Sequence, residues 1–387
     1  MKVKPADRTN SVREYYFSAK LRQIDEMRAA GADIINLGIG SPDQPPSENT
    51  VTRLSEEARK PNVHGYPSYN GSPVLRKAFS EWYRKYFNVT LDPASEILPL
   101  IGSKEGIMHI SMAFVNPGDE VLVPDPGYPT YSSVTGLVGG IVRPYALDEK
   151  LGWQPDLAAL EKENLDRVKL MWTNYPNMPT GVKGSPELFS RLVAFALDHN
   201  ILLVNDNPYS FILNNEYLSL LSVKGAMETA LELNSLSKSH NMAGWRIGMV
   251  AGNSDFIKTI LKVKTNMDSG IFLPMQLAAA EALQNPASWY DTINKTYRSR
   301  RESAESIMNL LDCRFNPDQT GLFLWGRVPE TRPDAESLVE EILQNAHVFL
   351  TPGFIFGSRG ERYVRISLCA TEERLEEARQ RIAKLKL

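Results

Sequence analysis

The chain has 387 residues, more than one hydrophobic core usually serves, so two lobes are expected. Its apolar share of 42% and charged share of 23% fit a globular protein, and a formal net charge of −3 with a pI near 6.1 gives no bulk attraction to nucleic acid or anionic lipid. No run has the length and apolarity of a membrane span, and Cys313 and Cys369 lie outside any C-x-x-C spacing, which argues against a disulfide framework or a cysteine zinc site.

Taken in chain order, residues 1–10 are polar and mixed in charge, without the apolar core and cleavage site of a signal peptide, so the cytoplasm is the expected compartment. Strands are expected at 97–101, 120–124, 140–145, 168–173, 201–206, 230–234 and 247–251. Between two of them, 185–199 places Leu188, Leu192, Val193, Phe195 and Ala196 at helical spacing. That alternation predicts an α/β fold with a mostly parallel seven-stranded sheet between helices. Residues 275–311 read as largely helical, broken near Asn285 and Pro286, and form a long helix linking two lobes. The remainder mixes strands at 321–328, 347–351 and 363–368 with a helix at 371–385, an α+β lobe. The expected division is a large domain over 45–285 and a small domain built from 1–44 and 286–387.

Chemistry-bearing residues gather at the predicted strand ends, where open α/β sheets bind ligands. Gly102-Ser103-Lys104-Glu105-Gly106 opens a helical run, and free backbone N–H groups with a hydroxyl at a helix N-terminus suit a phosphate. An ordinary capping serine with a nearby glutamate is the plainer reading of that loop alone. Tyr128 follows a strand in Pro126-Gly127-Tyr128-Pro129 and could stack on a flat ring or fill the core. Asp206 closes an apolar strand, where a buried carboxylate is costly without a cationic partner, and Tyr209 adds a phenol three residues on; a simple Asn-Pro turn is the alternative. Ser235, Ser237 and Lys238, with Arg246 close behind, supply two hydroxyls, an amine and a guanidinium after another strand. Arg365 lies on an alternating strand and is suited to bidentate capture of a carboxylate, or is an exposed strand residue. The five histidines show no metal or triad spacing.

In this order the motifs resemble the class I/II aminotransferases of the fold type I, pyridoxal 5′-phosphate-dependent superfamily, from Asn36-Leu37-Gly38-Ile39-Gly40-Ser41-Pro42-Asp43 through Ser367. The glycine loops look nearest the LL-diaminopimelate and alanine aminotransferase branch. The resemblance implies that Lys238 forms the Schiff base with the cofactor and that Ser103, Lys104, Ser235, Ser237 and Arg246 hold its phosphate. It further implies that Tyr128 stacks on the ring, Asp206 pairs with the ring nitrogen, and Tyr209 binds the phenolic oxygen. Arg365 would clamp the substrate α-carboxylate, which Gly40 approaches through its backbone where a Cβ would obstruct the ligand. Tyr66 would reach the phosphate of a neighbouring subunit, implying a homodimer with shared active sites. Met178 occupies the place where the family's N-P-T-G loop has asparagine, so the role at the phenolic oxygen falls chiefly to Tyr209, with Asn177 or Asn174 as substitutes and Asn177 the candidate taken. The same lysine chemistry also serves C–S β-lyases, and aminotransferase-like domains serve as ligand sensors in regulators whose DNA-binding domain precedes them; the motifs begin by residue 36, which disfavours a sensor.

Overall fold

The computed structural model describes residues 3–11 and 16–385. The expected small-domain segments 1–44 and 286–387 also include residues 1–2, 12–15 and 386–387, which lie outside the described residues. Thirteen strands follow in chain order among the described residues. The first is β1 (Ile35–Asn36). Then come β2 (Ile97–Leu100), β3 (Glu120–Asp125), β4 (Ile141–Ala146), β5 (Val168–Thr173), β6 (Leu202–Asp206), β7 (Ala230–Ser235) and β8 (Gly248–Gly252). Last are β9 (Arg314–Phe315), β10 (Phe323–Arg327), β11 (Val348–Phe349), β12 (Thr351–Pro352) and β13 (Tyr363–Ser367).

The large sheet has the order β2-β8-β7-β6-β5-β3-β4. All its pairings are parallel except those of β8, which runs against both β2 and β7. Its inner strands are buried on both faces because successive residues feed opposite cores, the pleat sending neighbours to opposite sides, while the edge strand β4 is largely exposed. Leu170 and Trp172 pack with Leu202, Val204, Leu231 and Leu233 on one side. Met171 and Leu203 face the other, with Leu192 and Val193 of the helix Pro186–Asp198. That helix starts at Ser185, whose Oγ accepts from the Leu188 amide at 3.1 Å, with Pro186 at its first position.

Near residue 285 the long helical stretch divides as expected, into Leu273–Ala282 and the 24-residue helix Ala287–Leu310. On the latter, Arg300 makes a two-pronged ion pair with Asp43, both contacts at 2.7 Å, which ties the N-terminal segment to this helix. A four-stranded antiparallel sheet, β12-β13-β10-β9, forms the C-terminal part. The single strand expected at 347–351 is instead two short ones. β11 pairs in parallel with β1, while β12 joins β13, because Leu350 lies between two sheets that face different neighbours.

Candidate active site

A cleft of about 700 Å³ opens at the carboxyl ends of β3, β5, β6 and β7, and both chain ends contribute to it. The N-terminal segment brings Gly38 and Gly40, the central sheet brings Ser103, Tyr128, Asp206 and Lys238, and β13 brings Arg365. Most of the residues singled out in the sequence therefore meet around one cavity. Lys104, Tyr209, Ser235, Ser237 and Arg246 complete that group.

One end of the cleft is polar. Gly102, with φ +84°, caps the helix Ser103–Phe114, and a Cβ there would come within 2.3 Å of an Arg246 Nη atom. Arg246 itself adopts a left-handed φ of 57°, and its guanidinium donates to the Ala243 carbonyl at 2.9 Å. Glu105 reaches back to accept from the Ile101 amide, so the capping role belongs to the glutamate. Ser103 Oγ is buried without a hydrogen-bond partner.

At the floor, Asp206 is buried and accepts from the Tyr131 hydroxyl at 3.0 Å through Oδ2, while its Oδ1 has no partner. Burial pushes its carboxyl up to about 7, helped by the nearby Glu232 carboxylate and opposed by the Tyr131 hydrogen bond. Tyr131 stacks face to face on Trp172, centroids 5.0 Å apart, which fixes its hydroxyl toward Asp206. Sequence reading missed Tyr131; its signal was a second tyrosine three residues after Tyr128, which caps the helix Pro129–Leu137 and meets Tyr131 edge-on with centroids 5.6 Å apart.

Lys238 lies in the short helix Leu236–Ser239 directly after β7, and its ammonium donates to the Gly40 carbonyl. Burial lowers its pKa, and the Arg365 and Arg246 cations push the same way. Gly40 lines the cleft, and a Cβ there would meet the Phe323 ring at 2.2 Å. Arg365, only 4% exposed, donates to the Gly38 carbonyl at 2.7 Å and contacts Met178 Sδ at 3.2 Å. Its guanidinium lies 3.8 Å from the Phe323 ring centroid, 4.6 Å from Phe356 and 5.6 Å from Phe17.

Two residues are not brought into the cleft lining. Asn177 is buried beside it, its Oδ1 taken by the Thr180 hydroxyl at 2.7 Å; Asn174 lines the cleft in its place, holding the Met178 amide through Oδ1 at 2.7 Å and the Asp206 carbonyl through Nδ2. The reason is backbone direction, since Asn174 directly continues β5 whereas Asn177 sits inside the turn that closes on Val182. Tyr66 is 92% exposed and away from the cleft of its own chain. Glu105, His109 and Asp268 also bring ligand-type atoms within 4.8 Å of one another, but Lys264 already provides a cation there, 2.7 Å from Asp268.

The pattern of the aminotransferase class I and II family matches residues 32–382. This chain belongs to that family. It is 42% identical to an LL-diaminopimelate aminotransferase of Desulforudis audaxviator over 379 residues, covering 97% of this chain and 96% of the relative. To the enzyme of that name from Oleidesulfovibrio alaskensis it is 41% identical, with 98% of each chain covered. Among solved structures, substrate-bound BacF from Bacillus subtilis superposes with a TM-score of 0.94 at 33% identity, over 100% of this chain and 98% of that one. A mutant aspartate aminotransferase of Thermus thermophilus gives 0.91 at 26% identity, over 99% of each.

The protein is thus a pyridoxal 5′-phosphate-dependent aminotransferase, moving an amino group between an L-amino acid and a 2-oxo acid through a lysine. Neither the lyase nor the sensor alternative finds support among these relatives. The cleft fits the cofactor: the unpartnered Ser103 Oγ suits a phosphate oxygen, and the unpartnered Asp206 Oδ1 suits a protonated ring nitrogen. Among the described residues no helix is long and apolar enough to cross a membrane.

Proposed function

We propose that Lys238 is the lysine of the amino transfer and that its Nζ carries the proton to and from the substrate Cα. A cofactor bound here supplies the electron-withdrawing ring that makes Cα acidic. The lowered pKa of Lys238 favours the neutral amine that such a base requires. Asp206 keeps the ring nitrogen protonated by offering a buried negative charge, Tyr128 flanks the ring, and Tyr209 with Asn174 supports its phenolic oxygen. Ser103, Lys104, Ser235, Ser237 and Arg246 hold the phosphate, and Arg365 takes the α-carboxylate. Asn177 serves the loop through its bond to Thr180.

The observation that carries this reading is the convergence on one cleft of Lys238, the unpartnered Asp206 Oδ1 and Arg365, from three distant stretches of chain. We further propose that the enzyme works as a homodimer in the cytoplasm, with Tyr66 of each copy completing the other's phosphate site. The free, buried thiols of Cys313 and Cys369 suit a reducing compartment. Residues 45–285 form the cofactor-bearing domain, and 1–44 with 286–387 the smaller one, a division supported by the separate sheets that each contains.

Replacing Lys238 tests the central role. Lys238→Ala is expected to lower transamination by at least about 10²–10⁴-fold while leaving the circular dichroism spectrum and melting temperature close to wild type. A variant that still transaminates at the wild-type rate overturns the assignment.

A further inference from the structure

Along β7 the side chains alternate: Leu231 and Leu233 join the apolar core on one face of the large sheet, so Glu232 and Asn234 turn to the other. Glu232 is fully buried. Its Oε1 accepts from the Tyr83 hydroxyl at 2.9 Å and the Ser219 hydroxyl at 2.8 Å, and its Oε2 from the Leu220 amide at 2.9 Å and Asn205 Nδ2 at 3.2 Å. An apolar residue of similar volume would fill this place without the cost of burying a carboxylate, so packing alone does not call for an acid here.

Two of the four donors lead to the reacting groups. Asn205 stands opposite Glu232 in the β6–β7 register and immediately precedes Asp206; its Oδ1 also holds the Tyr175 amide at 3.0 Å, fixing the loop that brings Asn174 to the cleft. Tyr83, on the helix Pro73–Phe87, accepts from Asn234 Nδ2 at 3.2 Å. Asn234 Oδ1 in turn accepts from the Ser235 amide at 2.8 Å, where the short helix bearing Lys238 begins.

We propose that Glu232 is a positioning residue for the amino transfer, fixing Asp206 through Asn205, and Lys238 through Tyr83 and Asn234. This rests on the reading of Lys238 as the base and Asp206 as the partner of the ring nitrogen. Apolar side chains can slide past one another, whereas a buried carboxylate with both oxygens filled leaves a donor unmet in any shifted arrangement. Proton transfer is sensitive at that scale, since a misplacement of about 1 Å can cost on the order of 10²-fold in rate.

The test uses the cofactor-loaded enzyme. Tyr83→Phe removes one oxygen and cuts the arm to Lys238, while Arg365 is carried by β13 of the other sheet. It should lower kcat per bound cofactor by about tenfold or more and leave the amino-donor KM within about twofold of wild type. The visible circular dichroism of the bound cofactor, which reads how it is held without any turnover, should lose amplitude. Glu232→Gln cuts the same arm by turning an amide N–H toward the Tyr83 hydroxyl, so the double variant should be no slower than the slower single one. If Glu232→Gln does not fold, Tyr83→Phe carries the test alone, because Glu232 then keeps three of its donors. A lower melting temperature with unchanged kcat per bound cofactor and unchanged visible dichroism means packing only and overturns the proposal, as do multiplied losses in the double variant. Lys238→Ala separates the two ideas. If it transaminates normally, the reading of the base has failed; if it is inactive and Tyr83→Phe is as fast as wild type, only the positioning role has.

Discussion

Asp206 shows how much one buried residue determines. Its carboxyl, ordinarily near 3.8, is raised to about 7 in the folded chain, chiefly because burial disfavours the charge. The unfolded chain releases this proton near 3.8 and the folded one only near 7. Between those values the unfolded state holds fewer protons, so stability contributed by the neutral carboxyl is lost as pH rises through the window. The whole effect is on the order of 4 kcal/mol. In urea titrations without cofactor, the wild-type midpoint should fall between pH 4.5 and 7.5 relative to that of Asp206→Asn; parallel pH dependence in the two proteins would contradict it. Asp206 was legible in sequence because a carboxylate ending an apolar strand demands an explanation. Tyr131 was not, since a tyrosine on an apolar helix face reads as core until its hydroxyl is seen 3.0 Å from that carboxylate.

Among the elements, the turn between β2 and the helix Ser103–Phe114 is the most exacting. Gly102 combines a positive φ with a backbone that Arg246 covers, so Gly102→Ala strains the chain and displaces a guanidinium at once. The expected result is a stability loss of about 1–2 kcal/mol in denaturant unfolding together with at least a severalfold weaker retention of the cofactor. Unaltered cofactor affinity would mean that Arg246 does not act at the phosphate. The strands of the large sheet were readable because they are continuous apolar runs bounded by turns, and helix Pro186–Asp198 because its stripe is strictly periodic and its start is capped. The pairs at β11 and β12 were not: two residues carry no periodicity, and only their partners distinguish them. Likewise Asn174 and Asn177 differ in sequence by three positions, and only the path of the loop decides which faces the cleft.

At the scale of the whole molecule, Tyr66 is a large aromatic side chain left 92% exposed in the single chain, which is what a residue serving a second copy requires. Sedimentation equilibrium should give twice the 43.4 kDa chain mass, and Tyr66→Phe should weaken cofactor retention severalfold without dissociating the dimer. A monomer that binds cofactor normally would remove the shared-site reading. The α/β class with its seven-stranded sheet was legible from the alternation of apolar runs and helical spacing, whereas the way the N-terminal segment crosses to the C-terminal strands was not, because pairing between distant segments leaves no local trace. That crossing bears on how the protein is made. β1 pairs only with β11, and the Leu37 carbonyl and amide bond Ser367 and Phe349, so Ile34, Ile35 and Leu37 emerge from the ribosome some three hundred residues before their partners. At roughly 5–20 residues per second they wait on the order of 15–60 s, an interval in which this apolar stretch is without the strands that later cover it.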